Sequence, residues 1–219
     1  MKHILILIFL LIVGFYRGSA QANKPEWLIG VNPFSLFEPL SNIGPCAEIR
    51  VSPSVGFWAE ATYIIRSQYQ LNDWEKVKGT RFIFQPRFYV GKRKYFFVAP
   101  EFRLKRFNYT IGLDFINAQT QDTLQNYLHR ATQVQAGGGL VLGFRSWLSR
   151  KHNLTMEFTS GLGAKKRQIT RKNIPSGYKY EHSWGGFGLA PHYEWDNDVA
   201  VYFPCSIRLI WKLQTSWFK

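Results

Sequence analysis

From Trp27 onward, apolar and polar side chains change places with a period of two, in stretches of six to nineteen residues. A strand points successive side chains to opposite faces, so this period predicts β-strands with one apolar and one polar face. Eight strands follow: Trp27–Asn32, Cys46–Val51, Val55–Arg66, Thr80–Val90, Tyr95–Tyr109, Arg130–Leu148, Leu154–Ile169 and Ser206–Gln214. In the fourth, Phe82, Phe84, Phe88 and Val90 share a face with Pro86, opposite Arg81, Gln85 and Arg87. In the sixth, Val134, Ala136, Leu140, Leu142 and Phe144 oppose Gln133, Gln135 and Arg145. In the eighth, Ile207, Leu209 and Trp211 oppose Arg208 and Lys212. Helical periodicity is absent apart from a weak signal between Gln119 and His129.

The connections alternate in length. Ser52–Ser54, Lys92–Lys94 and Ser149–Asn153 are short, whereas Pro33–Pro45, Ser67–Gly79, Thr110–His129 and Thr170–Cys205 are long. An even number of antiparallel strands with short turns at one end and long loops at the other is the pattern of an up-and-down transmembrane β-barrel. The expected fold is therefore all-β, an eight-stranded antiparallel barrel occupying residues 23–219 as one domain. With Lys92–Lys94 as a turn, Pro86 and Pro100 fall opposite each other. Neither can donate to a ladder, so a bulge or local break is expected there.

Charge sharpens the picture. Over a crossing of about ten residues, the length a tilted strand needs, the apolar phase carries no charge. Charges enter that phase only beyond the crossing, at Arg106 and Lys166, which would reach the outer headgroup level. The polar phase carries Glu48, Arg50, Glu60, Arg81, Arg87, Glu101, Arg103, Arg145, Glu157, Lys165 and Arg208. In an eight-stranded barrel these side chains would fill the interior, and they must pair, because an unpaired buried charge is costly. A plugged interior is expected rather than a pore. Trp27, Trp58, Tyr63, Tyr89, Tyr95, Trp147, Trp211 and Trp217 fall near strand ends, as aromatic girdles would.

The first 22 residues read as a signal peptide: Lys2 and His3, a 12-residue apolar run from Ile4 to Phe15, then small residues for cleavage after Ala20 or Ala22. The run is too short to cross the ~30 Å hydrocarbon layer as a helix. Export makes nucleic acid an improbable partner despite 28 Lys and Arg against 14 Asp and Glu. The excess positive charge suits contact with anionic headgroups, so membrane lipid and lipopolysaccharide are the expected partners, with the barrel-assembly machinery during biogenesis. The sequence names no protein partner. Cys46 and Cys205 could pair in an oxidising compartment or remain separate thiols.

No catalytic, metal or cofactor site is expected. His182 and Ser183 adjoin in the last long loop, near His192, Glu194, Asp196 and Asp198, but a nucleophile needs a base placed to take its proton. Gly137, Gly138 and Gly139 lie within a strand and lack the lysine of a phosphate-binding loop. Two alternatives remain open. One is a soluble lipocalin-like barrel with its apolar phase turned inward around a lipid. The other is an outer-membrane lipid-modifying enzyme.

Three segments, Ile29 to Phe37 (IGVNPFSLF), Gly44 to Val51 (GPCAEIRV) and Gly56 to Glu60 (GFWAE), resemble a family of small outer-membrane proteins common in Bacteroidetes, of unknown function. The resemblance is clearest over residues 27–66 and implies an eight-stranded barrel of the OmpA or OmpX type, with no catalytic residues. The terminal Trp217-Phe218-Lys219 is similar to the aromatic assembly signal of such proteins but ends in lysine.

Overall fold

The computed structural model describes residues 25–36, 40–67, 75–117, 119–180 and 197–213. Signal cleavage at Ala20 or Ala22, the loop residues His182, Ser183, His192, Glu194 and Asp196, and the Trp217–Lys219 signal all lie outside them. The chain forms β1 (Glu26–Val31), β2 (Leu40–Ile43), β3 (Pro45–Ser52), β4 (Val55–Ser67), β5 (Glu75–Val90), β6 (Phe96–Asn117), β7 (Thr123–Ser149), β8 (Leu154–Lys172), β9 (Tyr178–Tyr180), β10 (Asn197–Tyr202) and β11 (Cys205–Lys212). One turn of 3-10 helix, Pro33–Leu36, follows β1.

Every pairing is antiparallel, and the sheet closes on itself in the order β1, β3, β4, β5, β6, β7, β8, β11 and back to β1. Closure removes the open edges that a flat sheet would leave. These eight are the strands the alternation predicts. The other short strands are extensions of them. β2 continues β3 along β4, and β10 continues β11 along β8. The β10–β11 interruption leaves the register intact: Tyr202 faces Gly163 and Cys205 faces Ser160. Pro204 lies between and has no N–H to give the ladder. Pro86 and Pro100 act alike. Pairing of β5 with β6 stops after Phe84↔Phe102 and resumes at Phe88↔Val98 in the same register, a local break without a bulge.

The long-loop end differs from expectation. Thr110–His129 is not a loop, and it contains no helix: β6 and β7 run on as one hairpin, with Ile111 facing His129 and Ile116 facing Thr123. Alternation persists there, burying Tyr109, Ile111, Phe115, His129 and Ala131, and this burial holds the strand form. The short strand β9 adds to β6 opposite Phe115, Ile116 and Asn117. β6, β7 and β8 therefore stand well above the other strands.

Phase assigns the two surfaces. Outward lie Ile29, Phe82, Phe102, Leu140, Leu142 and Leu162, each at least two-fifths exposed. Inward, three layers stack between the rims. Near the short turns Tyr89, Phe97 and Ala99 pack together. Leu28, Cys46, Trp58 and Ile210 share the middle with buried charges. Toward the long loops lie Leu40, Ile64, Val77, Phe107, Tyr109, Ile111 and Ala131.

Glycine is required where the lumen is tightest. A Cβ on Gly143 would sit 2.0 Å from Cζ of Phe97, a fully buried ring. Gly143→Ala is expected to destabilise the barrel by about 1–3 kcal/mol through overpacking. A urea-unfolding midpoint equal to that of the wild type would show that the ring has room to move.

Candidate functional site

The polar phase converges on one place. Four glutamates (Glu48, Glu60, Glu101, Glu157) and four arginines (Arg81, Arg87, Arg145, Arg208) are buried among the described residues, drawn from seven strands. Each sits there for a local reason: it occupies the inward phase of a strand whose outward phase is apolar. Burying such charges is tolerable only when they pair and their remaining hydrogen-bonding groups are satisfied.

Glu157 on β8 is the hub. Arg87 donates to it through both terminal nitrogens, at 2.9 Å each. Arg145 Nη2 donates at 2.5 Å and Arg208 Nη1 at 3.0 Å. Glu48 on β3 accepts from Arg87 Nη1 at 3.0 Å and from Arg145 Nη2 at 2.6 Å. It also accepts from Arg50 Nε at 3.2 Å and from the Tyr89 hydroxyl. Glu60 accepts from Arg81 Nη2 at 2.5 Å and lies 3.4 Å from Arg208 Nε. Gln85 extends the network, accepting from Arg87 Nη2 at 2.9 Å while its own amide donates to Glu101 at 2.8 Å. Glu101 also accepts from Arg103 at 3.0 Å and from the Tyr202 hydroxyl at 3.1 Å.

Two guanidinium groups lie over the indole of Trp58, Arg87 at 4.2 Å and Arg208 at 4.8 Å from the ring centroid. Arg87 also faces Phe97 at 4.4 Å, and Arg50 faces Tyr89 at 4.0 Å. Such contacts stabilise cations where water is excluded. The residues Trp58 and Tyr89 are thus corrected from girdle to core. Trp58 shares its phase with Glu60, and Tyr89 with Arg87, so both rings point inward. Trp27, Tyr63 and Trp211 remain on the outward surface, whereas Trp147 shares the inward phase of Arg145 and is exposed at the short-turn rim.

Of the sequence-predicted interior charges, Glu48, Glu60, Arg81, Arg87, Glu101, Arg145, Glu157 and Arg208 are fully buried together. Arg50, Arg103 and Lys165 point the same way but are half-buried, nearer the rims of the charged layer. Arg106 and Lys166 are exposed on the outward surface. Cys46 and Cys205 are free thiols: Cys46 is buried inward and Cys205 exposed outward. They lie on strands separated by β1, with opposite phases, so they do not meet.

Sequence reasoning put Gln85 on the polar face without counting it in the network, and passed over Tyr202 and His129. Gln85 sits in the inward phase and was legible as polar. Tyr202 lay in a presumed loop. His129 packs edge-on against Phe115, and its Nδ1 lies 3.3 Å from the Tyr127 carbonyl. Burial holds its imidazole below the ordinary range.

The chain matches no protein-family model, no curated protein and no solved structure. Chemistry must therefore be judged from the residues. Among the described residues, no group of three His, Cys, Asp or Glu is placed to hold a metal ion. The network consists of carboxylates paired with guanidinium groups, with Glu60 Oε2, Arg145 Nη1 and Arg208 Nε making no hydrogen bond among the described residues. What it does physically is join strands across the lumen with charge-assisted hydrogen bonds.

Proposed function

We propose that this chain is a small outer-membrane β-barrel of the OmpA or OmpX type, with a structural or interaction role and no enzymatic one. Its leader is removed after Ala20 or Ala22, and the barrel-assembly machinery inserts the rest. Membrane lipid and lipopolysaccharide are its lasting partners.

One observation carries the reading: the barrel is inside-out. Large apolar side chains face outward all round, while the buried core holds four glutamates and four arginines. A soluble monomer rarely exposes apolar patches beyond a few hundred Å². Hydrocarbon is the solvent that favours such a surface, and an eight-stranded barrel is just wide enough for side chains to fill. The same orientation weighs against a lipocalin-like carrier, which needs the apolar phase inward.

The interior reads as a plug. The side chains of Glu48, Arg87 and Glu157 have no exposed surface, so neither solvent nor a water-sized void touches them. The long-loop end, with its tall β6–β7–β8 wall, is the part free to meet partners.

Fractionation with a heat-modifiability gel tests this. The expected result is recovery in the detergent-extracted outer membrane, with faster migration unboiled than boiled. Recovery as a soluble periplasmic protein would overturn it. For the enzymatic alternative, lipid A should change when His182 and Ser183 are replaced; unaltered lipid A removes that alternative.

A further inference from the structure

The outward surface is not uniform around the barrel. Just beyond the apolar belt, exposed cations occupy four adjacent strands: Lys76 and Lys78 on β5, Arg106 on β6, Arg130 on β7, and Lys166 and Lys172 on β8. On the outward phase of the remaining wall, β10–β11, β1, β2–β3 and β4, the described residues include no charge at all. Tyr63, Ile65, Val199 and Val201 stand exposed there instead. The cations are thus gathered on one side of the ring.

Their registers place them at two heights. In the lower row, Arg106 faces Thr80 on one side and Val134 on the other, and Val134 faces Gln168. On the flanking strands Lys78 sits two residues nearer the long loops and Lys166 two residues nearer the short turns, a slant that follows the tilt of the barrel strands and keeps the three in one row. With strands about 4.8 Å apart and about 3.4 Å rise per residue, the backbones of Arg106 and Lys166 are roughly 12 Å apart. The upper row is a directly opposed pair, Arg130↔Lys172, four residues above Val134 on β7. Like charges directly opposite each other on a sheet are destabilising. Neither has a carboxylate within ion-pair distance among the described residues. Among the described side chains of these strands, the outward carboxylate is Asp114, which is engaged by the backbone N–H of Asn126 at the hairpin tip, 2.7 Å away.

We propose that this wall is a docking surface for a single glycolipid whose headgroup carries several phosphates at two depths. This inference rests on the membrane reading and adds to it which side of the barrel is used and what chemistry it accepts. The lower row, at the hydrocarbon boundary, neutralises phosphates on the acylated sugars. The upper pair, about four residues higher, neutralises phosphate on the sugars beyond. Apolar Leu104, Leu140 and Leu162 lie directly beneath the lower row, where the acyl chains would run. A phospholipid with one phosphate can reach the lower row only.

The test uses the folded full-length barrel in phosphatidylcholine nanodiscs, titrated with lipopolysaccharide containing lipid A and a phosphorylated inner core, or with phosphatidylglycerol. Each cation near an anionic surface contributes enough that removing two weakens binding about thirtyfold. R106A/K166A is expected to lose that factor for both lipids. R130A/K172A should lose it for lipopolysaccharide alone. K92A/R93A, on the opposite rim, should change neither. Equal loss in the opposite-rim control, or phosphatidylglycerol binding as tightly as lipopolysaccharide, overturns the proposal. A chain that inserts and binds no lipid selectively sinks this inference alone, whereas a chain that stays soluble sinks the membrane reading and this site with it.

Discussion

Replacing Glu157 by alanine is expected to cost the folded barrel about 3–5 kcal/mol, the range for breaking a buried ion pair from one side. The size follows from what is left behind. Arg87, Arg145 and Arg208 all donate to Glu157, and all three are buried. Glu48 can still serve Arg87 and Arg145, at 3.0 and 2.6 Å, and Glu60 lies 3.4 Å from Arg208. After substitution, three guanidinium groups share two carboxylates where three stood before, in a layer without water. Glu157→Gln keeps the volume but removes the charge and turns one accepting oxygen into an N–H donor facing arginines, so it should recover little of the loss. Glu26→Ala is the contrast. Glu26 pairs with Lys212 at 2.7 Å, but both are open to solvent. Exposed pairs are worth about 0–1 kcal/mol. Equilibrium urea unfolding in a phosphocholine bilayer, read by the shift between folded and unfolded gel bands, gives all three values. A Glu157→Ala loss as small as that of Glu26→Ala would mean that the arginines find other partners or water, and that the network does not hold the strands together.

Leu140→Arg probes the opposite surface. Leu140 is exposed, and in register it faces Pro100 on β6 and Leu162 on β8, midway along the apolar belt. If hydrocarbon covers it, arginine there costs about 2–4 kcal/mol, falling toward zero near the interfaces. The same substitution at Val134, level with Arg106, should therefore cost far less. A water-facing belt predicts the reverse of this depth profile: no penalty at Leu140, and a gain in solubility. The pair of variants thus reads out the solvent on the outer face without reference to any cellular assay. Equal, negligible costs at the two positions would remove the membrane from the account.

The two experiments address the two faces of one strand period, and this is where the sequence was most informative. Arg145 and Phe144 are neighbours in the chain, yet one is buried among carboxylates and the other lies on the outer side against Phe96, 4.8 Å between ring centroids. That assignment needs nothing beyond alternation, because the pleat fixes it residue by residue. The starts of β1, β3, β4, β6, β8 and β11, the three short turns and the opposed prolines were legible for the same local reason, whereas β5 and β7 begin earlier than Thr80 and Arg130. Misread elements were those whose fate depends on distant chain. The Thr110–His129 segment looked like a loop because its polar residues are many, but Phe115 and His129 are buried against each other across the hairpin and keep it extended. Trp58 and Tyr89 looked like interface aromatics by position; the cations that cover them come from other strands.

What the sequence determined by itself was the period, and through it the number of wall strands, the side on which every charge would fall and the side left uncharged. Which glutamate meets which arginine was decided only by the closed ring. Glu48 and Arg145 are 97 residues apart in the chain, and Arg87 and Glu157 are 70 apart. Periodicity is a property of neighbouring residues and survives in any conformation that keeps the strand. Ion pairing across a lumen exists only once β3, β5, β7 and β8 have been brought round to face one another, and only the barrel's circumference and register set those distances.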